Sequence, residues 1–422
     1  MRPSKKPGNG LKAEVTSPFE LHSAVLAGFK APDIIVNGPC KSYEFLVDCV
    51  KADVRFIVID SLSEIRDLQN ITQQLGKDTH ILLRINPDYI PAGMNSGTAT
   101  GSRKGCAFGL DLKNGEPVKA LALIKSSARI HFHGFHMHIG TGIRNPKDYT
   151  RAILKLKQFL TDTIKAGFCV KVLDIGGGFA SFTTRELTST EMLVYQGFNR
   201  FPGSLGDETS KTFTDFTSEI ASTIKRLFHD FLLPELIYEP GRSIASPNQF
   251  LLLTVHRVKN RTHAENWLIT DGGLGTVTMP TYYEYHEVFL CNDPNRPLYH
   301  KATITGPCCF AADIVYKGKL MPEVSPGETL AIMDTGAYFI ALESSFGHPR
   351  PAVVEINNRR HRLIRERESF DYMLARDISE IDMHIPGNRV GHRGSKDQRI
   401  KGSSNKSKIQ KVKHRIKDKD ER

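Results

Sequence analysis

The sequence predicts an α/β protein with a (β/α)8-type barrel in its first half and an all-β domain in its second half. Short runs of β-branched and apolar residues alternate with longer amphipathic segments up to about residue 248, as in parallel strands joined by helices. From Gln249 onward, short apolar runs follow one another between turns rich in Gly, Pro and Asn. We therefore expect a barrel over residues 1–248, a β domain over 249–385 and a tail over 386–422.

Seven segments of the first half have the composition of barrel strands. They are residues 13–16, 34–37, 56–60, 81–86, 134–139, 172–175 and 236–239. Helical spacing of apolar residues predicts helices between them, for example from Phe213 to Phe228. Because a closed barrel of this type has eight strands, we expect the first strand to be missing, upstream of residue 13.

The net charge of +11 is concentrated in the tail. Residues 387–422 contain 13 Lys/Arg and 4 Asp/Glu, which gives +9 and leaves +2 for the rest of the chain. The tail has no aromatic residue, so we expect it to be disordered, with at most a weak contact to nucleic acid. The seven cysteines form no CxxC pair, which favours a reducing, cytoplasmic setting. No apolar stretch is long enough to predict a membrane span.

Three glycine-containing segments follow predicted strands, at residues 136–142, 173–179 and 238–242. The carboxyl ends of parallel strands carry the ligand sites of such folds, so we expect these loops to meet. Glycine N–H groups can approach an anion closely, and an arginine can pair with it. The segments predict a phosphorylated ligand, although glycines that merely turn the chain are an alternative.

Seven motifs in a fixed order resemble the class II, β/α-barrel family of pyridoxal-phosphate-dependent ornithine, diaminopimelate and arginine decarboxylases. The motifs are AEVTS at 13–17, NGPCKS at 37–42, HMHIGT at 136–141, DIGGGF at 174–179, EPGR at 239–242, GPCC at 306–309 with Asp313, and DTGAY at 334–338. The resemblance runs from about Ala13 to Asp377. It implies bound pyridoxal 5'-phosphate, a homodimer and loss of the α-carboxylate of an amino acid, with basic amino acids among the candidates.

The resemblance implies roles for individual residues. Glu239 matches the carboxylate that pairs with the cofactor's pyridine nitrogen, His138 matches the histidine that stacks on its ring, and Cys309 matches a cysteine that reprotonates the product across a dimer interface. The other implied cofactor-binding residues are Thr141, Gly176, Gly177, Gly178, Pro240, Gly241, Arg242 and Tyr338. Tyr283, Glu284 and Asp313 are candidate substrate contacts, and no metal ligand is expected.

Other readings of some of these residues stay open. A salt bridge is the alternative for Arg242, ordinary packing is the alternative for Cys308 and Cys309, and a place in the β-domain core is the alternative for Tyr338. The other histidines of the HMHIGT region, His131, His133 and His136, are expected to be structural.

Several positions depart from the family pattern. The segment that carries the family's Schiff-base lysine has no counterpart ahead of Ala13, and Lys5 and Lys6 lie in a Pro-containing stretch without apolar flanks. Phe310 stands where the family has an acidic residue, and Met279 stands where the diaminopimelate enzymes have arginine. Two alternatives therefore remain. One is a catalytically inactive homologue or truncated gene product, and the other, suggested by the histidines at 131–138, is a metal-dependent barrel hydrolase.

Overall fold

The computed structural model describes residues 10–91, 94, 106–181, 184–198, 211–262, 265–277 and 283–375. The chain divides into two compact units, Met1–Met373 and Leu374–Arg422. The barrel and the β domain both belong to the first unit. The tail predicted over 386–422, and the end of the β domain at 385, lie outside the described residues and stay predictions.

Strands and helices alternate through the first part of the chain. The strands are β1 (Ala13–Val15), β2 (Ile34–Val36), β3 (Phe56–Ile59), β4 (Thr79–Asn86), β5 (Leu110–Asp111), β6 (Ile130–His136), β7 (Val172–Asp174), β8 (Arg185–Glu186) and β9 (Glu235–Ile237). The helices are α1 (Pro18–Leu26), α2 (Tyr43–Ala52), α3 (Leu62–Leu75), α4 (Glu116–Lys125), α5 (Pro146–Lys155), α6 (Lys157–Lys165), α7 (Ser189–Phe198), α8 (Phe213–Leu227) and α9 (Gly241–Ala245). Two short 3-10 turns lie at Ala31–Asp33 and Ser246–Asn248.

Hydroxyl side chains set the starts of several helices. Ser42 and Ser61 accept hydrogen bonds from amides in the first turns of α2 and α3. Thr212 and Asp215 form a reciprocal capping box at the start of α8, and each such cap contributes about 1 kcal/mol. The predicted apolar face of α8 is buried at Phe216, Ile220 and Ile224.

The main sheet contains parallel strands in the order β1-β2-β3-β4-β6-β7-β9, with β5 paired to β4. One buried cluster draws side chains from β2, β3, β4, β7 and β9. Its members are Ile35, Phe56, Val58, Leu82 and Val172, with the partly buried Ile237 packed against them. Since β2 and β9 are not neighbours in this order, the sheet must curve into a barrel to bring these side chains together.

The two ends of the strand order are less buried than its middle. Strands β3 and β7 are buried along their whole length, whereas Glu14 on β1 and Glu235 on β9 are exposed. Among the described residues, no strand pairs with the outer edge of β1 or of β9. The barrel fold is confirmed, while the expected absence of a first strand concerns residues outside the described range and stays a prediction.

Strand β6 begins and ends earlier than the sequence predicted. It covers Ile130–His136 rather than residues 134–139, and its register with β4 shifts at His133, which lies in a bulge between Phe132 and Gly134. A Cβ atom at Gly134 would collide with the carbonyl group of Val172 on β7. The predicted strand was wrong by four residues at its start and three at its end, and His138 lies in the loop beyond the strand.

The second part of the chain is built mainly of strands, as predicted. They are β10 (Leu251–Lys259), β11 (Asn266–Thr270), β12 (Glu284–Tyr285), β13 (Val288–Leu290), β14 (His300–Thr305), β15 (Ile314–Met321), β16 (Thr329–Ile332), β17 (Val353–Asn357) and β18 (Arg360–Arg365), with the short helices α10 (Phe339–Leu342) and α11 (Phe370–Leu374). Six strands form one sheet in the order β13-β16-β10-β11-β14-β15, while β12 pairs with β8 of the first part and β17 pairs with β18. Among the described residues, no helix is both long and apolar enough to span a membrane.

Candidate active site

Three loops meet at the carboxyl ends of β6, β7 and β9. The carbonyl oxygen of Gly176 accepts a hydrogen bond from the N–H of Glu239 at 2.9 Å, and that of Gly178 accepts one from Ile143 at 2.8 Å. The three glycine-containing segments identified in the sequence therefore lie side by side in the structure.

Backbone packing requires the glycine triplet. A Cβ atom at Gly177 would collide with the carbonyl oxygen of Glu239, and one at Gly178 would collide with that of Gly140. Gly176 and Gly178 also have φ angles of 71° and 91°, in the region that favours glycine. Backbone packing and backbone conformation are therefore enough to explain why glycine occupies these three positions.

Two of the three amide groups of the triplet already have partners. The N–H of Gly176 donates to Asp174 Oδ1 at 2.9 Å, and the N–H of Gly177 donates to His138 Nδ1 at 3.2 Å. The N–H of Gly178 has no hydrogen-bond partner within the described part of the chain. An anion at this position would therefore meet Gly178 first.

The carboxyls of Asp174 and Glu239 and the imidazole of His136 form a buried group next to the glycine triplet. His136 and Asp174 are both 1% exposed, and His136 Nε2 lies 3.6 Å from Glu239 Oε2. One ligand atom from each of the three residues lies within 4.8 Å of the others. Asn37 orients the imidazole by donating from Nδ2 to His136 Nε2 at 3.2 Å.

Burial shifts the pKa of every member of this group. Burial and repulsion from Glu239 raise the pKa of Asp174 to about 8. Burial raises the pKa of Glu239 to about 7, although hydrogen bonding with the Asp174 carboxyl and the positive charge of Arg84 oppose this rise. Burial lowers the pKa of His136 to about 4. Burial therefore favours the uncharged form of each of these three side chains. Such shifted pKa values are common at ligand-binding and catalytic sites.

Glu14 adds a third carboxyl to this side of the barrel. It pairs in register with Ile35, whose side chain faces the barrel interior. Desolvation and repulsion from Glu239 and Asp174 raise the pKa of Glu14. Because the residue keeps solvent-accessible surface, water moderates this rise.

His138 is held as a neutral ring beside the glycine triplet. Its Nδ1 atom accepts the hydrogen bond from Gly177, so the ring proton lies on Nε2. Burial and the charge of Arg84 lower the pKa of His138 to about 3. Thr141 lies in the same loop, between Gly140 and Gly142, with part of its surface exposed.

Arg242 forms a buried ion pair with Glu284, the residue that the sequence suggests as a candidate substrate contact. Glu284 Oε2 also accepts from His286 Nε2 at 2.9 Å, while His286 Nδ1 faces the carbonyl oxygen of Met333 at 2.7 Å. Burial opposes ionisation of Glu284, but His286 and Arg242 outweigh it and lower the pKa of this carboxyl. Both ring nitrogens of His286 therefore face hydrogen-bond acceptors. When the ring carries both protons, His286 and Arg242 place two positive charges beside the one carboxylate of Glu284.

Tyr338 reaches Arg242 from the β domain. The guanidinium of Arg242 lies 4.7 Å from the centre of the Tyr338 ring, and the backbone of Tyr338 has a φ angle of 70°. The turn before it is docked by hydrogen bonds from Thr335 N–H to the Gln249 carbonyl and from Gly336 N–H to the Ser246 carbonyl. Burial raises the pKa of the neighbouring Tyr283 to about 12.

Pro240 and Gly241 join Glu239 to Arg242 in the third loop. The N–H of Gly241 donates to the carbonyl oxygen of Glu239 at 2.8 Å. A Cβ atom added to Gly241 would meet nothing within 4 Å. This side of the loop therefore has room for a ligand.

Asp313 and Cys309 lie in another turn of the β domain. Asp313 is fully buried, and its two oxygens accept from the N–H groups of Leu274 at 2.5 Å and Cys308 at 2.8 Å. The carboxylate thus holds two loops together, and its predicted contact with substrate stays a prediction. Cys309 is exposed, and within the described residues no hydrogen bond links it to the Glu239 group.

Three members of the site are not identified by the sequence motifs. Asp174 lies directly before the glycine triplet, and its position at a predicted strand end was the available signal. Glu14 was visible as a carboxylate between the apolar Ala13 and Val15. His136, expected to be structural, lies within the carboxyl group, whereas Met279 lies outside the described residues.

Comparisons with known proteins identify the family. Residues 7–246 match the family model described as "Pyridoxal-dependent decarboxylase, pyridoxal binding domain". The chain is 28% identical to diaminopimelate decarboxylase from Methanocaldococcus jannaschii, over 87% of this chain and 79% of that protein. It is 30% identical to the enzyme of that name from Archaeoglobus fulgidus, over 87% and 82%.

A solved structure agrees with this match. The crystal structure of the M. jannaschii diaminopimelate decarboxylase superimposes with a TM-score of 0.76 at 26% identity, covering 87% of this chain and 79% of that one. A second structure of that enzyme, in complex with L-lysine, gives a TM-score of 0.74 at 27% identity, with coverage of 87% and 79%. On the family match, the relatives and the shared barrel, the chain belongs to the pyridoxal-phosphate-dependent decarboxylases.

Proposed function

We propose that this chain removes one α-carboxylate from diaminopimelate, using pyridoxal phosphate held at the carboxyl ends of β6, β7 and β9. The observation that carries the proposal is the convergence of Glu239, His138 and the glycine triplet beside Arg242 and Tyr338. When bound, the cofactor supplies an electron-withdrawing ring that takes up the electrons left by departing carbon dioxide.

Glu239 is the proposed partner of the cofactor's ring nitrogen. Its Oε1 atom is buried and has no hydrogen-bond partner within the described residues. Burial raises the pKa of Glu239 to about 7, so its negative charge is costly until a cation lies beside it. A protonated ring nitrogen is such a cation, and the pairing keeps the proton on that nitrogen.

His138 is the proposed support for one face of the ring. The hydrogen bond from Gly177 fixes its orientation, and its low pKa keeps the imidazole uncharged. A neutral ring packs against an aromatic ligand without placing a second cation beside the ring nitrogen. We therefore assign His138 to positioning rather than to proton transfer.

The phosphate is assigned to the N–H of Gly178 and the hydroxyl of Tyr338, with Thr141 and Gly241 on the same surface. Arg242 already pairs with Glu284, so its proposed role is shared between holding the Tyr338 ring and supplying positive charge. The contact of a second basic side chain, His286, with Glu284 supports this assignment, because a doubly protonated His286 together with Arg242 would exceed the charge of that one carboxylate and favour an added anion. Glu284 then balances this charge and does not contact the distal amine.

The substrate assignment follows the names of the relatives. Loss of one carboxylate from diaminopimelate gives lysine, the ligand in the M. jannaschii complex. Tyr283 lies beside Arg242 and Tyr338 and stays a candidate contact. We retain the homodimer as a proposal, with Cys309 of one subunit completing the site of its partner.

The central experiment measures carbon dioxide release by the 422-residue protein from diaminopimelate, ornithine, arginine and lysine. We expect release from diaminopimelate, together with a visible absorbance band from added pyridoxal phosphate. Borohydride reduction and peptide mass spectrometry would locate any lysine that holds the cofactor covalently. Cofactor binding without release from any substrate would instead support a catalytically inactive homologue, and release only from ornithine or arginine would overturn the substrate assignment.

The dimer is tested by mixing two inactive variants, Glu239→Gln and Cys309→Ser. If each site needs Glu239 from one subunit and Cys309 from the other, mixed dimers contain one intact site and regain activity. Light scattering should give twice the mass of one chain. A monomeric mass, or no recovery after mixing, contradicts the shared site.

A further inference from the structure

We propose that Tyr149 is a positioning residue for the phosphate, because its hydroxyl fixes the peptide group between Gly177 and Gly178. This hydroxyl donates a hydrogen bond to the carbonyl oxygen of Gly177 at 2.8 Å. The N–H of Gly178 belongs to the same peptide group and has no partner within the described residues. The inference rests on the proposed function, in which that N–H contacts the phosphate.

The geometry of the peptide group links the two contacts. In a planar trans peptide, the C=O and N–H bonds point in opposite directions. A partner that holds the carbonyl oxygen of Gly177 on one side therefore directs the N–H of Gly178 to the other side. Tyr149 thus sets the direction of this N–H without touching the ligand. A hydrogen bond to the carbonyl oxygen also polarises the peptide group, which makes its N–H a stronger donor.

The peptide groups on either side are held by other contacts. The preceding group is held at both ends, because its carbonyl oxygen accepts from Glu239 N–H at 2.9 Å and its N–H donates to His138 at 3.2 Å. The following group accepts from Ile143 N–H at 2.8 Å. Within the part of the chain that the structure describes, the middle group has the hydroxyl of Tyr149 as its one hydrogen-bond partner.

Glycine on both sides of the middle peptide group makes its orientation depend on this contact. The group can reverse if the ψ angle of Gly177 and the φ angle of Gly178 change together. Gly178 has a φ angle of 91°, and a glycine adopts negative φ angles about as readily. Local sterics therefore leave two orientations open, and the hydrogen bond from Tyr149 favours the observed one.

Tyr149 is itself held rigidly. It lies on α5 and is fully buried. Its ring stacks on Phe179, with 4.9 Å between the ring centres and 13° between the planes, and meets Phe216 edge to face at 5.9 Å. Burial and the charge of Asp148 raise the pKa of the hydroxyl well above its ordinary value. The hydroxyl therefore keeps its proton at neutral pH and can act as the donor.

The test compares the wild type with Tyr149→Phe, which removes the hydroxyl and keeps the ring. Each full-length protein is titrated with pyridoxal phosphate and with pyridoxal, which lacks the phosphate, by isothermal calorimetry. Loss of one hydrogen bond should weaken the binding of pyridoxal phosphate about ten-fold and leave that of pyridoxal within about two-fold. A role in general stability would weaken both ligands equally.

Tyr238→Phe is the matched control. The Tyr238 ring belongs to the same aromatic group, with its centre 6.1 Å from that of Phe179. Its hydroxyl forms no hydrogen bond within the described residues. This variant should bind both ligands as the wild type does. Circular dichroism and urea unfolding check that both variants are folded.

A second arm uses inorganic phosphate, so it does not depend on the cofactor. The protein is labelled with ¹³C in glycine carbonyls and ¹⁵N in glycine amides, so that only Gly–Gly peptide groups give correlated NMR signals. The sequence has three such groups, at 176–177, 177–178 and 272–273. We expect phosphate to shift the amide signal of Gly178, with about ten-fold weaker affinity in Tyr149→Phe, and to leave that of Gly273 unchanged.

Three results would overturn the role of Tyr149. They are equal binding of pyridoxal phosphate by the wild type and Tyr149→Phe, equal losses for pyridoxal phosphate and pyridoxal, or a wild-type Gly178 signal that phosphate does not shift. A different result would reject the proposed function alone. In that case phosphate would shift the Gly178 signal more weakly in Tyr149→Phe than in the wild type, but pyridoxal phosphate would give no absorbance band with either protein.

Discussion

The two ends of the barrel carry similar residues with opposite degrees of pairing. At the amino end, Asp78 binds both Arg129 and His131 at 3.0 Å, and Arg55 binds Glu235 at 2.8 Å. Each carboxylate there has a basic partner in contact with it, and these pairs are at least partly exposed to water.

The carboxyl end differs in two of its carboxyls, although the buried ion pair of Arg242 and Glu284 also lies there. Asp174 and Glu239 are largely buried, each with an oxygen that has no hydrogen-bond partner among the described residues, and repulsion from Glu239 helps to raise the pKa of Asp174. At the amino end each of these carboxylates is in contact with a basic side chain, whereas the buried carboxyls of Asp174 and Glu239 have no such contact and can pair with a positively charged ligand.

Glutamine substitutions at the start of β9 and in the loop that follows it should show the largest difference between the two ends of the barrel. Glu239→Gln removes the charge that faces the proposed ring nitrogen, and we expect decarboxylation to fall by about 10²–10³-fold. Glu235→Gln, only four residues earlier, removes a surface ion pair and should leave the rate within about two-fold. The measurement is carbon dioxide release by both variants, and equal rates would refute the assigned role of Glu239.

The ion pairs at the two ends should also differ in stability. Glu284→Gln leaves the buried guanidinium of Arg242 without its counter-charge, so we expect the free energy of unfolding to fall by about 3–5 kcal/mol. Removing Glu235 from Arg55 should cost less than about 1 kcal/mol. Urea unfolding of the two variants checks this, and a comparable loss in both would contradict the contrast.

A smaller change in the free energy of unfolding is expected where the loops pack together at the carboxyl end of the barrel. Gly177→Ala places a methyl group against the carbonyl oxygen of Glu239, and we expect a loss of about 1–3 kcal/mol. The control is Gly197→Ala in α7, where an added Cβ meets nothing within 4 Å and should stabilise by about 0.5–1 kcal/mol. If urea unfolding gives the same sign for both variants, the packing argument fails.

The smallest effect concerns acid sensitivity at the amino end. Burial, together with His80, Lys171, His131 and Arg55, lowers the pKa of His133 to about 4. Between pH 6.5 and 4 the unfolded chain therefore binds more protons at this residue than the native protein, so stability falls as the pH falls.

Replacement of His133 by Gln should remove part of this acid-dependent loss. Allowing for partial exposure to water, we expect about 1–2 kcal/mol of it to disappear. Urea unfolding at pH 7.5 and pH 5 measures the difference, and an unchanged difference between the two pH values would rule out His133 as its source.

The barrel was predictable because apolar alternation identifies its strands. Ile35 lies in the barrel interior, while its neighbours Ile34 and Val36 belong to the larger cluster that packs with the helices. The limits of β6 were not predictable, because the bulge at His133 depends on how β4 and β7 pack beside it.

The helical spacing of Phe19, Leu21, Ala24, Val25 and Phe29 also predicts one apolar face for α1, and the structure buries only part of it. Ala24 is buried, but Phe19 is 78% exposed and Val25 is 53% exposed. The helix follows β1, at one end of the strand order, where little of the described chain covers it. Periodicity identifies a helix but does not report which of its neighbours are present.

The site was predictable at the level of motifs and not at the level of contacts. The sequence identified the glycine triplet, Glu239 and Arg242, since each follows a strand. It did not identify Glu284 as the ion-pair partner of Arg242, because this pair joins residues 42 positions apart. Such a pair depends on how β12 meets β8, which local sequence does not encode.

The turn before Tyr338 packs closely against the segment that ends the barrel. Gly336 fits against the carbonyl group of Ala245 so closely that a Cβ atom there would collide with it, and this turn carries Tyr338 onto Arg242. A fragment that ends near residue 248 would lose Tyr338 and Glu284 together, and its arginine would be left with neither its aromatic neighbour nor its counter-ion. The barrel and the strand-rich half therefore depend on each other for the arrangement around Arg242, and we expect neither half to keep that arrangement when the other is replaced.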